Sequence, residues 1–246
     1  MGARAVIRSM MSVLCVLALN AQASTGRWTL VTQREGVRVY MAHDDDARIK
    51  TFRGEARIAL DDFSALSAQL DDYAFMASWL HMVSEIAEIS REDPLRRQLH
   101  VSTRLPWPVE NRDITLEMAV SQDPHTYAVD VLFRQSRTPL PARDGYVRMP
   151  FMNGCIRFYP LAPPDMAVTY QVTLDPGGHV PAWLANLLLR DIPYFSLRRL
   201  GRVVNQPLRD TARQAYFRIP PGWPGGDERG RTVSASRDCP VPSIPR

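Results

Sequence analysis

The chain has 246 residues, a net charge of +4 at neutral pH and 23% charged residues, acidic and basic ones interspersed. No basic stripe marks a nucleic-acid surface. Beyond the N-terminal segment no apolar run reaches the ~20 residues of a membrane-spanning helix. Three cysteines are too few for a disulfide scaffold.

Residues 1–23 follow the order of a secretory signal peptide. Arg4 and Arg8 are followed by an apolar run from Val13 to Leu19, then by Ala21-Gln22-Ala23. Cleavage after Ala23 makes Ser24 the mature start and implies a periplasmic or secreted protein. Cys15 lacks the small residues that precede a lipoprotein cysteine. Cys155 and Cys239 remain after cleavage. An oxidising compartment permits a bridge between them, but nothing in the sequence positions Cys239, so two free thiols are expected.

Val37 to Met41 reads as a strand after the Glu35-Gly36 turn, and Ile49 to Leu60 as another, broken by Gly54. Leu60-Asp61-Asp62 opens a helix with an acidic cap and Phe63, Leu66 and Leu70 at helical spacing. A second short helix covers Tyr73 to Leu80. Strand-like runs follow at Met82–Ser90, Gln98–Thr103, Ile114–Val120, Tyr127–Arg134, Tyr146–Met149, Met152–Tyr159 and Met166–Leu174, separated by turn residues. After Asp175-Pro176-Gly177-Gly178 the period changes. Pro181 to Tyr216 reads as one long helical run that Pro193 should kink. From Pro220 prolines, glycines and charges dominate, which predicts a disordered tail over 220–246. One domain, 24–219, is left. Its order of elements predicts an α+β fold, an antiparallel sheet with helices on one side.

Six motifs in order then carry a resemblance. They are Trp28 with "REGVRVY", "FRGEARI" at 52–58, Trp79, "LPWPVENRD" at 105–113, "GCIRFYPL" at 154–161 and "LDPGGHVPAWLANLLL" at 174–189. From about Trp28 to Tyr216 the chain resembles the START lipid-transfer domain, and it is identified as an exported bacterial member of that family. The resemblance implies the helix-grip fold, a curved antiparallel sheet wrapped around a long C-terminal helix with an apolar cavity between them. Within "LPWPVENRD", Trp107 offers an apolar body to seal one end of the sheet, and Pro106 and Pro108 fix the chain around it. Arg112 and Asp113 read as structural, since a guanidinium is no base near neutral pH but can hold carbonyls or a carboxylate.

The residues show no local catalytic signature. His43, His81, His100, His125 and His179 lack metal-site spacing. There is no GxSxG elbow, phosphate loop or dinucleotide fingerprint, and Asp44-Asp45-Asp46 reads as a solvated charge run. No cofactor or metal is expected. What stands out is apolar: Trp79, Met82, Trp107, Met118, Phe133, Met152, Phe158, Tyr170, Trp183, Leu187, Leu188 and Phe195. Periodicity alone does not separate core from cavity wall; the resemblance implies that this set lines a ligand cavity. On the last helix Leu184, Leu188, Ile192 and Phe195 fall within one stripe, assigned to the cavity, with Leu187 flanking it. Met118 stands where some members of the family carry a buried charge. A methionine there suits an adaptable apolar pocket and speaks against a sterol-specific one.

The expected function is to hold one lipid or other hydrophobic small molecule, with transient membrane contact and no catalysis. Gly177-Gly178 would allow the last helix to act as a lid, and Arg190, Arg198, Arg199 and Arg202 could meet anionic head groups. Two alternatives stay open. One is a hydrolase or cyclase working in the same cavity through Glu117, Tyr170 or Asp191; the other is an envelope protein that uses the fold as a partner-binding surface.

Overall fold

Alternating apolar residues carry most of the chain into a single sheet. The computed structural model describes residues 28–42, 48–138, 140–141, 143–208, 216–226 and 238–240. The expected signal peptide, the Asp44–Asp46 run and the tail residues 227–237 and 241–246 lie outside them. The strands are β1 (Trp28–Arg34), β2 (Val37–Ala42), β3 (Phe52–Ala59), β4 (Val83–Asp93), β5 (Arg96–Thr103), β6 (Asn111–Gln122), β7 (Val129–Gln135), β8 (Tyr146–Arg148), β9 (Phe151–Pro160) and β10 (Asp165–Asp175). Helices α1 (Ala65–Asp71) and α2 (Tyr73–Trp79) lie between β3 and β4, and α3 (Ala182–Val203) ends the domain. Strand order is β1-β2-β3-β10-β9-β7-β6-β5-β4, with β8 parallel to the start of β6 and every other pairing antiparallel. This is the α+β helix-grip architecture, with α3 lying against β2, β3 and β10 and touching α2.

Side-chain alternation sets the inner face. Ile114, Leu116, Met118 and Val120 of β6 join Val129, Val131 and Phe133 of β7 in the core. Ile156 and Phe158 of β9 face Val168 and Tyr170 of β10 in register. Edge strands β1 and β4 are irregular, with register shifts against β2 and β5 and mostly exposed residues.

The last helix is seated by a glycine. A Cβ on Gly54 would come within 2.7 Å of Pro193 Cβ and 2.9 Å of a Leu197 methyl, so the absent side chain on β3 sets how closely α3 approaches. Pro193 therefore packs against the sheet inside an unbroken helix. The buried residues of α3 are Ala185, Leu189, Pro193, Tyr194, Ser196, Leu197 and Leu200. The helix also stops at Val203 instead of running to Tyr216. Asn205 turns the chain back, its Oδ1 accepting from Asp61 N at 3.0 Å and its Nδ2 donating to Ala59 O at 3.2 Å, and Pro207 disfavours helix before it.

Two expectations about the tail are corrected. Within 220–226, Trp223 is buried, edge-on to Phe63 at 5.5 Å, and its Nε1 donates to Leu161 O at 3.2 Å. Cys155 and Cys239 are bonded, not free, with Cα atoms 6.0 Å apart. Asp238 beside the bridge accepts from Arg53 Nη1 at 2.7 Å, and its carbonyl accepts from Arg157 Nη1 at 2.5 Å. Composition pointed to disorder, but individual anchors (one indole, one thiol, one carboxylate) decide where this tail goes.

Candidate ligand-binding site

Strands β5, β6, β9 and β10 and helices α2 and α3 enclose an apolar interior containing two voids. The first, about 60 Å³, lies under α3 and is lined by residues that include His81, Met82, Met149, Met152, Tyr170 and Leu188. The second, also about 60 Å³, lies deeper, among Met76, Leu99, Met118, Val131, Phe133 and Ile156. Val83, Val101, Met152 and Tyr170 border both, so only side chains separate them. Each void has room for roughly two waters, far below the ~300 Å³ or more of a usual ligand pocket. A lipid must therefore widen the space. The wall is suited to that, because five of the chain's ten methionines (Met76, Met82, Met118, Met149 and Met152) line it, and methionine repacks at little cost.

Of the expected lining set, Met82, Met152, Tyr170, Leu188 and Ile192 border the first void, and Met118, Phe133, Met152 and Tyr170 the second. Trp79 and Phe158 are buried in the core and border neither void. Phe195 packs tilted on His81 at 4.7 Å and edge-on to Tyr194 at 4.9 Å. Leu184 is half-buried and borders neither void, while Leu187 is exposed. Trp107 does not seal the sheet: it is 93% exposed. The turn closed by Val109 N on Pro106 O at 3.0 Å carries its ring outward, where the indole N–H needs no buried partner. Trp183 at the start of α3 is also exposed, at 70%. Sequence reasoning missed Met76, Met149 and His81 as wall residues; Met149 and His81 sit just beyond element ends, where period carries no signal, and Met76 lies within the short helix α2.

Arg112 and Asp113 lie at one end of this interior, both buried. Arg112 Nε donates to Pro176 O at 3.0 Å and Nη2 to Gly177 O at 3.4 Å, while Nη1 donates to Glu110 O. The guanidinium thus ties the loop before β6 to the loop before α3. Gly177 and Gly178 have φ of 66° and 65°, and a Cβ on Gly177 would lie 2.8 Å from Pro150. The two glycines let that loop pass close to Pro150 and Arg112. Asp113 accepts from His100 Nε2 at 2.9 Å and from Arg148 Nε and Nη2 at 2.9 and 2.8 Å. Burial alone would raise its carboxyl, but the bonds from Arg148 and His100 outweigh this and hold it below its ordinary value.

Of the acid–base candidates, Glu117 pairs with Arg134 at 2.8 Å, on the strand face opposite its neighbour Met118. Asp191 lies 3.5 Å from Arg190 on α3, partly exposed. Tyr170 alone of the three borders the voids. Its phenol is fully desolvated, which raises its pKa well above the ordinary value. His81 is lowered to about 4, chiefly by burial, with Arg199 adding to the effect and Asp191 opposing it. Among the described residues no group of acidic, histidine and cysteine side chains could hold a metal ion.

A large antiparallel sheet thus grips one C-terminal helix over a methionine-lined interior. The START domain family model matches residues 9–207, and the chain belongs to that family. It is 26% identical to an uncharacterized protein of Pseudomonas aeruginosa, over 80% of this chain and 96% of that one. The structure is similar to that of a STAR-related lipid transfer protein from Xanthomonas axonopodis, with a TM-score of 0.65, 28% identity and coverage of 73% of this chain and 99% of the other. Human StAR-related lipid transfer protein 5 shares the fold, with a TM-score of 0.65 and 16% identity, covering 74% of this chain and 88% of that one.

Proposed function

We propose that this protein is an exported carrier that holds one hydrophobic ligand between its sheet and α3 and passes it between membranes without altering it chemically. The observation that carries this reading is the pair of voids separated only by Val83, Val101, Met152 and Tyr170. Repacking those side chains merges them into one apolar chamber. Each Å² of ligand surface moved from water into it contributes about 25 cal/mol, so an acyl chain is held without covalent chemistry. Family membership supports the reading, as does the lipid-transfer name of the Xanthomonas relative.

The rim supports membrane contact. The loop bearing Trp107 reaches the first void through Leu105, and the helix start bearing Trp183 and Leu187 reaches it through Ala185 and Leu188. Exposed indoles suit the interface between head groups and acyl chains. Arg199 and Arg202 on the same helix can meet anionic lipid, whereas Arg198 is paired with Glu35 and Arg190 with Asp191. Export is supported by the signal-like residues 1–23 and by the Cys155–Cys239 bridge, which an oxidising compartment would maintain.

Purification from the cell envelope followed by organic extraction and mass spectrometry tests the reading. One hydrophobic compound per chain, identical before and after incubation with the protein, is expected. A chain that yields no such compound, and whose melting temperature no lipid extract raises, is not a lipid carrier. A compound converted to a product would favour an enzyme working through Tyr170.

A further inference from the structure

The chamber holds two polar side chains that the fold does not use. Tyr170 is 4% exposed and its ring meets Phe133 edge-on at 6.2 Å. Among the described residues its hydroxyl has no hydrogen-bond partner, and desolvation is the one influence acting on the phenol. His81 borders the same first void. Its backbone N–H donates to Ser196 Oγ at 2.9 Å and its ring packs tilted on Phe195, but its Nδ1 is buried with no partner. Buried polar groups are almost always paired, so unpaired ones on two residues that border a single void call for a partner that the protein itself does not supply. A void of about 60 Å³ bordered by both residues brings them within reach of one ligand group.

We infer that Tyr170 and His81 together bind one uncharged oxygen of the cargo, a hydroxyl or a carbonyl, so that the ligand is a neutral lipid and not a phospholipid or an ionised fatty acid. The inference rests on the carrier reading and narrows its substrate class. The chemistry of both groups fits. A phenol with a raised pKa stays protonated and donates. An imidazole lowered to about 4 is neutral at physiological pH, so it offers one donor and one acceptor and no charge. A ligand hydroxyl can accept from Tyr170 and donate to a bare Nδ1, while a carbonyl can accept from both residues if Nδ1 carries the proton. An anion would bring its charge into an apolar chamber whose one bordering cation, Arg112, already donates to three loop carbonyls.

Displacement of a fluorescent lipid from the full chain by hexadecanol, a long-chain methyl ketone, palmitate and hexadecane at neutral pH tests this. The alcohol or the ketone should bind about ten-fold more tightly than hexadecane, the gain of one well-placed buried hydrogen bond, and palmitate more weakly than either. In Tyr170→Phe, and separately in His81→Phe, which keeps an aromatic ring against Phe195, the ratio of alcohol or ketone affinity to hexadecane affinity should shrink. An advantage unchanged in both variants overturns the assignment. So does palmitate binding most tightly, above all if Arg112→Lys abolishes it. If none of the four displaces the probe from the parent protein, the carrier reading itself fails, which is a separate result.

Discussion

The two ends of β5 and β6 are each held by a buried arginine, and they are held differently. At one end Arg97, its side chain fully enclosed, donates to Asp71 of α1, to Leu70 O and Tyr73 Oη at 3.3 Å each, and to Pro94 O. Arg91 adds a 3.3 Å contact to the same carboxylate and a 2.8 Å pair with Glu88. At the other end, about 20 Å away at ~3.3 Å per residue along β5, Arg112 meets only backbone carbonyls of the two adjoining loops. No carboxylate answers it there, and the loops it joins carry the exposed Trp107 and Trp183. One end is thus a charge-paired floor locking the short helices to the sheet. The other is a rim where Asp113, bonded to Arg148 and His100, anchors the start of β6, while Arg112 joins the two loops through carbonyls alone.

Removing the floor's charge should have the largest effect. Arg97→Met removes the nearest charge partner of buried Asp71, and breaking a buried pair in this way costs about 3–5 kcal/mol. Thermal unfolding should report a large loss, along with loss of α1 and α2 packing. A variant as stable as the parent would mean that Asp71 is satisfied by Arg91, and that the two ends do not differ in strength.

Arg112→Ala should cost less, about 1–3 kcal/mol, because it strands carbonyls and not a charge. The rim loops should exchange amide hydrogens faster, while Asp113, still held by Arg148 and His100, keeps the start of β6 in place. Stability should fall before ligand selectivity changes. Unchanged unfolding with binding abolished would make Arg112 a ligand contact and not a strut.

The strands were far more legible in the sequence than this asymmetry. Strands buried on their inner face, such as β6 with Ile114, Leu116, Met118 and Val120, show their period directly. Edge strand β1 does not: its burial barely alternates, and only the resemblance pointed to it. On α3 the stripe assigned to the cavity has two members, Leu188 and Ile192, that border the first void, whereas Leu184 borders neither. Which residues of α3 meet β3 depends on Gly54, a residue on another element, against which Pro193 and Leu197 pack. The floor was invisible, since nothing near Arg97 or Asp71 in sequence announces that they meet 26 positions apart. Trp107 was read as a seal on chemistry alone; its exposure depends on a turn direction that the sequence does not encode locally.

The smallest effect on stability should come from the rim indoles, and there the comparison is most exposed to failure. Trp107 and Trp183 make little use of the folded core, being 93% and 70% exposed. Replacing both by alanine should change unfolding by no more than about 0.5 kcal/mol, as for most surface sites. Their contribution should appear only when a bilayer is present. Co-sedimentation with anionic vesicles should fall about ten-fold in the double variant, and transfer of a loaded lipid between vesicles should slow with it. Leu95 is the control, an exposed apolar residue at 37% in the turn before Arg96 at the floor end. Leu95→Ala should leave vesicle binding and transfer as they are. If Leu95→Ala lowers both and the tryptophan pair does not, the membrane meets the floor, and the cavity must open between α1, α2 and β4 instead of beneath α3.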